Sequence, residues 1–151
     1  MKKEAWKVWE DDVVERMGGD KVKASGMTDN HKGDVKTDCH LVDAKDTEGD
    51  GYSVSASFWE KLNGWARNEG REPLIAIRIE DDNGAVEIAV VSEIWYCEHH
   101  PDFEPEQQLK KQKQRKLNRR SAGKKPTSFL VGRYRLIAYA FDEFLKDGGY
   151  E

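Results

Sequence analysis

The chain has 151 residues, of which 37% are hydrophobic and 36% charged, so it can form one domain with a modest core and a heavily charged surface. It contains no run of about 18 apolar residues that could span a membrane, and its first residues lack the apolar stretch of a secretion signal. Two cysteines are too few for a disulfide framework. These features predict a single-domain protein of the reducing cytoplasm.

The net charge of −4 conceals a strongly basic segment in the second half of the chain. Nine of the 25 Lys and Arg residues lie at positions 110–125, where there is no acid, and the other 16 stand against 29 acidic residues. These nine residues are Lys110, Lys111, Lys113, Arg115, Lys116, Arg119, Arg120, Lys124 and Lys125. Such a run often forms only a solvated surface, but its freedom from acids favours contact with nucleic acid.

The first predicted element is a helix over residues 4–17, which ends at the Gly-Gly pair that follows it. Its apolar positions fall within one arc of about 140° on a helical wheel. They are Trp6, Trp9, Val13, Val14 and Met17. Glu10 lies inside the same arc, and a carboxylate facing the core needs a partner, because burying an unpaired charge is costly.

Short strands and loops follow this helix. We expect a strand at 21–24, a polar loop at 25–33, strands at 35–37 and 39–45 joined by a tight turn, and a loop at 46–51. The run Ser57-Phe58-Trp59-Glu60 has the form of a capping box, which predicts a second helix ending near residues 68–70.

Strands dominate the rest of the chain. Residues 73–79 and 85–91 have strand patterns, and Asp82-Asn83-Gly84 between them indicates a hairpin turn. Residues 94–106 give no clear pattern, and 107–125 could form an exposed helix or a mobile arm. A strand pair or one long strand is expected at 128–139 and a short helix at 141–146. This order predicts an α/β domain with a central mixed sheet flanked by helices.

The candidate catalytic residues lie at the ends of two predicted strands. Asp34 directly precedes the strand at 35–37, and Asp43 and Lys45 lie two positions apart on the next strand, so the side chains of Asp43 and Lys45 point to one face. Two carboxylates, with the main-chain carbonyl of Ala44, could bind Mg²⁺, which prefers hard oxygen ligands. Lys45 could then orient an attacking water and offset charge at a phosphate, while Glu10 could hold a metal-bound water or a second ion.

Together these residues resemble the PD-(D/E)XK nuclease superfamily. The resemblance extends to archaeal-type Holliday-junction resolvases and their phage relatives, over roughly residues 5–91. The matching stretches are the Glu10 helix with its Gly18-Gly19 turn, Ala24-Ser25-Gly26, Gly33-Asp34-Val35, Leu41 to Thr47, Tyr52 to Arg71 and Glu72-Pro73-Leu74. Asp43 stands where those relatives commonly have Glu, and residues 94–151 have no counterpart.

The resemblance implies a restriction-endonuclease-like core at residues 4–92, followed by a basic insertion or arm at 94–127 and a C-terminal strand and helix at 128–151. It also implies a homodimer that nicks branched DNA symmetrically, with Mg²⁺ or a substituting Mn²⁺ at Glu10, Asp34, Asp43 and the Ala44 carbonyl. Ser25, His31 and Lys32 would approach the DNA backbone, and the basic segment would add phosphate contacts.

Several other interpretations stay open. Asp-x-Lys recurs on exposed strand ends as a plain salt bridge, and Glu10 could simply pair with Lys45 or Lys21. The substrate could be linear duplex DNA, as in restriction, homing or repair enzymes, or the protein could bind nucleic acid without cutting it. A zinc site at Cys97 to His100 is disfavoured, because ligands this close in sequence cannot easily surround one ion.

Overall fold

The computed structural model describes residues 5–22 and 34–151 and confirms the predicted α/β class with a mixed central sheet. The helices are α1 (Ala5–Met17), α2 (Ala56–Asn68), α3 (Glu93–His99) and α4 (Phe141–Asp147). The strands are β1 (Asp20–Lys21), β2 (Val35–Lys36), β3 (His40–Glu48), β4 (Tyr52–Ser55), β5 (Glu72–Asp81), β6 (Gly84–Ser92), β7 (Lys111–Gln112), β8 (Gln114–Leu117), β9 (Thr127–Val131) and β10 (Tyr134–Ala140).

The main sheet has the order β1-β2-β3-β5-β6-β10-β9-β7. Strands β3 and β5 are parallel, as are β7 and β9, and the other neighbours are antiparallel. A separate ribbon pairs β4 with β8. None of the helices in the described ranges is long and apolar enough to cross a membrane.

Alternation along β3 divides the apolar residues between two faces of the sheet. One face carries Val42 and packs against α1 and α4 in a cluster that includes Trp9 and Phe144. The opposite face carries Leu41 and packs against α2 in a cluster that includes Trp59. The sheet therefore has a buried core on each side, which we call the α1/α4 face and the α2 face.

The first helix and the central hairpin agree with the sequence predictions. Trp9, Val13 and Met17 are buried, as the helical wheel predicts. The side chain of Trp6 is not among those that the structure describes. The turn between β5 and β6 places Gly84 at φ 104°, a left-handed conformation that favours glycine. Residues 128–139 form the expected strand pair.

Other boundaries differ from the predictions. The loop expected at 46–51 is wrong in its first half, because β3 continues to Glu48 by pairing with β5 as far as Glu80. The capping serine is Ser55 rather than Ser57, since α2 begins at Ala56 and the Phe58 N–H donates to Ser55 Oγ at 3.1 Å.

The segment expected as a helix or mobile arm is also different. Within residues 107–125 the chain forms β7, β8 and a 3₁₀ turn (Arg119–Ala122). Leu117, fully buried in the core of the α2 face, anchors β8 there. Gly51 permits this docking, because a Cβ atom at position 51 would lie 2.3 Å from the Leu117 carbonyl oxygen.

Candidate functional site

Asp34 precedes β2 directly, and its side chain reaches the backbone of β3. Its Oδ2 accepts a hydrogen bond from the Ala44 N–H at 2.8 Å, and its own N–H donates to the Val42 carbonyl at 2.7 Å. The β2–β3 register ends with the pair Val35 and Val42, so this contact lies just beyond the paired strands. The Asp34 carboxylate is thus held against the backbone of β3 at Ala44, the residue between Asp43 and Lys45.

Asp43 and Lys45 form an ion pair on the α2 face of β3. The Lys45 Nζ lies 3.0 Å from the Asp43 Oδ1, and the two side chains are 31% and 1% exposed. Burial lowers the pKa of Lys45, but the charge and hydrogen bond of Asp43, with smaller contributions from Tyr52 and Asp34, raise that pKa above its ordinary value. Lys45 is therefore an ammonium ion at neutral pH and suits electrostatic stabilisation rather than base catalysis.

Two aromatic side chains from the next elements complete the surroundings of Lys45. The Lys45 Nζ lies 5.0 Å from the ring centroid of Phe58 in α2, within the range of a cation–π contact. Tyr52 of β4 is close enough to interact electrostatically with Lys45 and Asp43, and burial raises the pKa of its phenol. Sequence reasoning missed both as neighbours of Lys45; the alternation from Tyr52 to Val54 could have indicated β4.

Helix α1 places Glu10 on the other side of this strand. The Trp9 indole N–H donates to the Ala76 carbonyl at 3.0 Å, and Ala76 is paired in register with Ala44. This bond fixes the helix across the strands at the level of the candidate site. Glu10, only 14% exposed, has an oxygen 3.9 Å from the Lys21 Nζ. The inward direction predicted for Glu10 is confirmed, while its role in metal binding stays a prediction.

The oxygen atoms near Asp34 suit a hard cation. Mg²⁺ in proteins commonly uses one or two carboxylates and keeps several waters. No residue of 5–22 or 34–151 is found hydrogen-bonded to the second Asp34 oxygen, Oδ1. The Ala44 carbonyl points to the same strand edge as its N–H, because both groups of a strand residue face one neighbour. Asp34, Asp43 and the Ala44 carbonyl are therefore oxygen donors of the kind that Mg²⁺ prefers.

A larger cluster of metal ligands is not found in the described part of the chain. No group of three or more His, Cys, Asp or Glu side chains there is placed to hold an ion. The structure thus brings Asp34, Asp43 and Lys45 together, whereas Glu10 does not form a three-carboxylate group with them. The expected DNA contacts Ser25, His31 and Lys32 lie outside the described residues.

The chain was compared with family models, curated proteins and solved structures, and none of these matches it.

Proposed function

We propose that the protein is a Mg²⁺-dependent DNA endonuclease of the PD-(D/E)XK type, with a restriction-endonuclease-like core, that cuts four-way junctions as a homodimer. The observation that carries this proposal is the hydrogen bond from the Ala44 N–H to Asp34 Oδ2. A structural ion pair would account for Asp43 and Lys45 alone. It would not require a second carboxylate at the same strand edge, as a metal site does.

In this proposal, Asp34, Asp43 and the Ala44 carbonyl would hold Mg²⁺, and Glu10 would hold a metal-bound water or a second ion. When bound, Mg²⁺ supplies a water of lowered pKa and neutralises charge on the scissile phosphate. Mn²⁺ should substitute, because carboxylate, carbonyl and water ligands suit both ions.

Lys45 acts from the neighbouring position on the strand. Its ammonium group donates hydrogen bonds to the attacking water and to the phosphate oxygens, where negative charge grows during the reaction. Asp43 holds that ammonium group at 3.0 Å, and Phe58 packs within cation–π distance of it. The side chain is therefore oriented before substrate arrives, which avoids reorganisation during the chemical step.

The decisive test is a Mg²⁺ titration with a labelled four-way junction, comparing the unmodified protein with Asp34→Asn. Asparagine can still accept the Ala44 N–H but lacks the negative charge that binds the metal. Cleavage should appear with Mg²⁺ and be abolished in Asp34→Asn, and in Asp34→Ala as well, while DNA binding is largely retained. Asp82→Asn, in the exposed β5–β6 turn, is the matched control and should cleave normally. Full activity of Asp34→Asn would overturn the proposal.

The same assay identifies the substrate. Symmetric nicks confined to the four-way junction support a resolving enzyme, whereas equal cutting of a linear duplex or a flap indicates a restriction, homing or repair activity. Tight, salt-sensitive binding with no product at any Mg²⁺ concentration would indicate a binding module in which Asp34 and Asp43 are structural.

A further inference from the structure

The basic segment (residues 110–125) is fixed to the body of the protein by main-chain hydrogen bonds. Strand β7 pairs with β9, and β8 pairs with β4. Between these strands the Lys113 carbonyl accepts the Ala56 N–H at 2.8 Å, and the Gln112 carbonyl accepts the Gly132 N–H at 2.8 Å. The positive side chains of residues 111–116 consequently project from a backbone held in place, which lowers the entropy lost when they bind a ligand.

Most of these charges are not neutralised by the protein itself. Lys116 pairs with Asp50 at 2.6 Å and Arg119 with Asp81 at 3.2 Å. The other seven basic residues form no ion pair with any residue in the described ranges. They are Lys110, Lys111, Lys113, Arg115, Arg120, Lys124 and Lys125. In a protein with a net charge of −4, this leaves a local excess of positive charge at the surface formed by residues 110–125.

This surface adjoins the candidate active site. Tyr52, which interacts electrostatically with Lys45, lies on β4 opposite Leu117 of β8. A groove of about 540 Å³ runs between the start of α2 and the basic segment, and Lys111 and Lys113 line it. The groove and the Asp43–Lys45 pair are therefore both bordered by β4 and the first turns of α2.

The chemistry of the surface favours a nucleic acid over a membrane. Membrane-binding surfaces combine basic residues with exposed apolar side chains that enter the lipid. Among the side chains described, in residues 7–22 and 34–151, the exposed large hydrophobic ones are Val8 and Ile94, and both lie outside the basic segment.

We propose that the basic segment is a track for the DNA phosphate backbone, which binds a duplex arm on the α2 face and leads it to Lys45. It makes phosphate contacts and no base contacts, so its binding is independent of sequence. The inference depends on the proposed function for the identity of the nucleic acid as substrate, but the track itself requires no catalysis.

The test is to measure binding of a labelled linear duplex and a labelled four-way junction by fluorescence anisotropy. Binding is followed in EDTA from about 50 to about 200 mM salt, where phosphate contacts give a steep dependence. Each lysine that contacts a phosphate contributes about 1 to the slope of log K against log salt. Lys111→Gln/Lys113→Gln should therefore lower this slope by about 2, equally for both DNAs. Lys146→Gln, on α4 at the opposite face, should leave it unchanged.

A second double variant tests the track even if the first one fails to fold. Lys124→Gln/Lys125→Gln alters two exposed side chains beyond the 3₁₀ turn and should also lower the slope. An unchanged slope in both double variants, or tighter binding to anionic vesicles than to DNA, would overturn the track. If DNA is cut but neither double variant changes binding, the track is wrong and the nuclease proposal stands. If the slopes fall as expected and no DNA is ever cut, the track stands and the nuclease proposal is wrong.

Discussion

The two faces of strand β3 each bury an ionisable side chain, but the surroundings of the two side chains differ. Asp43 on the α2 face is 1% exposed and His40 on the α1/α4 face is 2% exposed. Asp43 has the Lys45 ammonium at 3.0 Å. His40 instead shares a 2.6 Å hydrogen bond with the Tyr150 hydroxyl, and its ring packs edge-on against Trp95 and Phe144.

The difference follows from what surrounds each group. Burial among aromatic rings lowers the pKa of His40 from 6.5 to about 4, with a further contribution from His99, so the imidazole is neutral at pH 7. On the other face, Asp43 helps to raise the pKa of Lys45 and keeps it charged. Equal burial thus gives a neutral structural group on one face and a charged pair, suited to chemistry, on the other.

The largest expected effect comes from removing the cation on the α2 face. Lys45→Ala should lower the rate of DNA cleavage by about 10²–10³-fold, since one preorganised donor to the developing charge is lost. Initial rates at saturating Mg²⁺ measure this, with circular dichroism to confirm the folded fraction.

Lys61→Ala serves as the control for Lys45→Ala. Lys61 is exposed on α2, the same helix that carries Phe58, and its removal should change cleavage little. Cleavage by Lys45→Ala within about threefold of the unmodified rate, well short of the loss expected for a charge-stabilising donor, would mean that the pair is only structural.

On the other face, the expected effect is a loss of stability in acid. The folded pKa of His40 is lower than its unfolded value, so below pH 6.5 the unfolded chain takes up a proton that the folded chain does not. The free energy of unfolding should therefore fall as the pH drops from about 6.5 to about 4, by up to about 1.4 kcal/mol per pH unit. Urea titrations across this range measure the slope.

A His40→Leu variant isolates the contribution of this one residue. Its free energy of unfolding should fall less steeply over the same pH range than that of the unmodified protein, because the titrating group is gone. Parallel curves for the two proteins would show that His40 is already protonated in the folded state or is solvated there.

The smallest effect concerns the partner of His40. Tyr150→Phe removes the hydroxyl that bonds to His40 Nδ1 and to Thr37 Oγ1 at 2.8 Å, and should lower the free energy of unfolding by about 1–2 kcal/mol. Tyr134→Phe, whose hydroxyl donates to Glu60 in a more exposed setting, should cost less. Equal losses in the two variants would contradict a special role for the buried bond.

The parts of the fold that the sequence predicted are those set by local patterns. The period of α1, the hairpin at Asp82 to Gly84 and the alternation in the last strand pair each need only near neighbours in the chain. Long-range pairing decided the rest. The extension of β3 to Glu48 depends on β5, and the strand character of residues 114–117 depends on β4 and a buried Leu117.

In the candidate site, too, local patterns predicted some residues and long-range packing determined the others. Asp34, Asp43 and Lys45 could be chosen because alternation along a strand and one short turn place them together. Tyr52 and Phe58 could not, since their approach to Lys45 depends on how β4 and α2 return to the strand. The position of Glu10 relative to the carboxylates is set by packing of α1, which a helical wheel does not determine.

The position of β8 beside β4 depends on the absence of a side chain at Gly51. The space at this position, already occupied by the Leu117 carbonyl, leaves no room for even a methyl group. In a randomised library selected for cleavage, codon 51 should therefore return glycine although it encodes no reactive group. Replacing Gly51 would shift β8, which carries Arg115 and Lys116, away from β4. A change that removes no charged group would thereby weaken the binding of substrate.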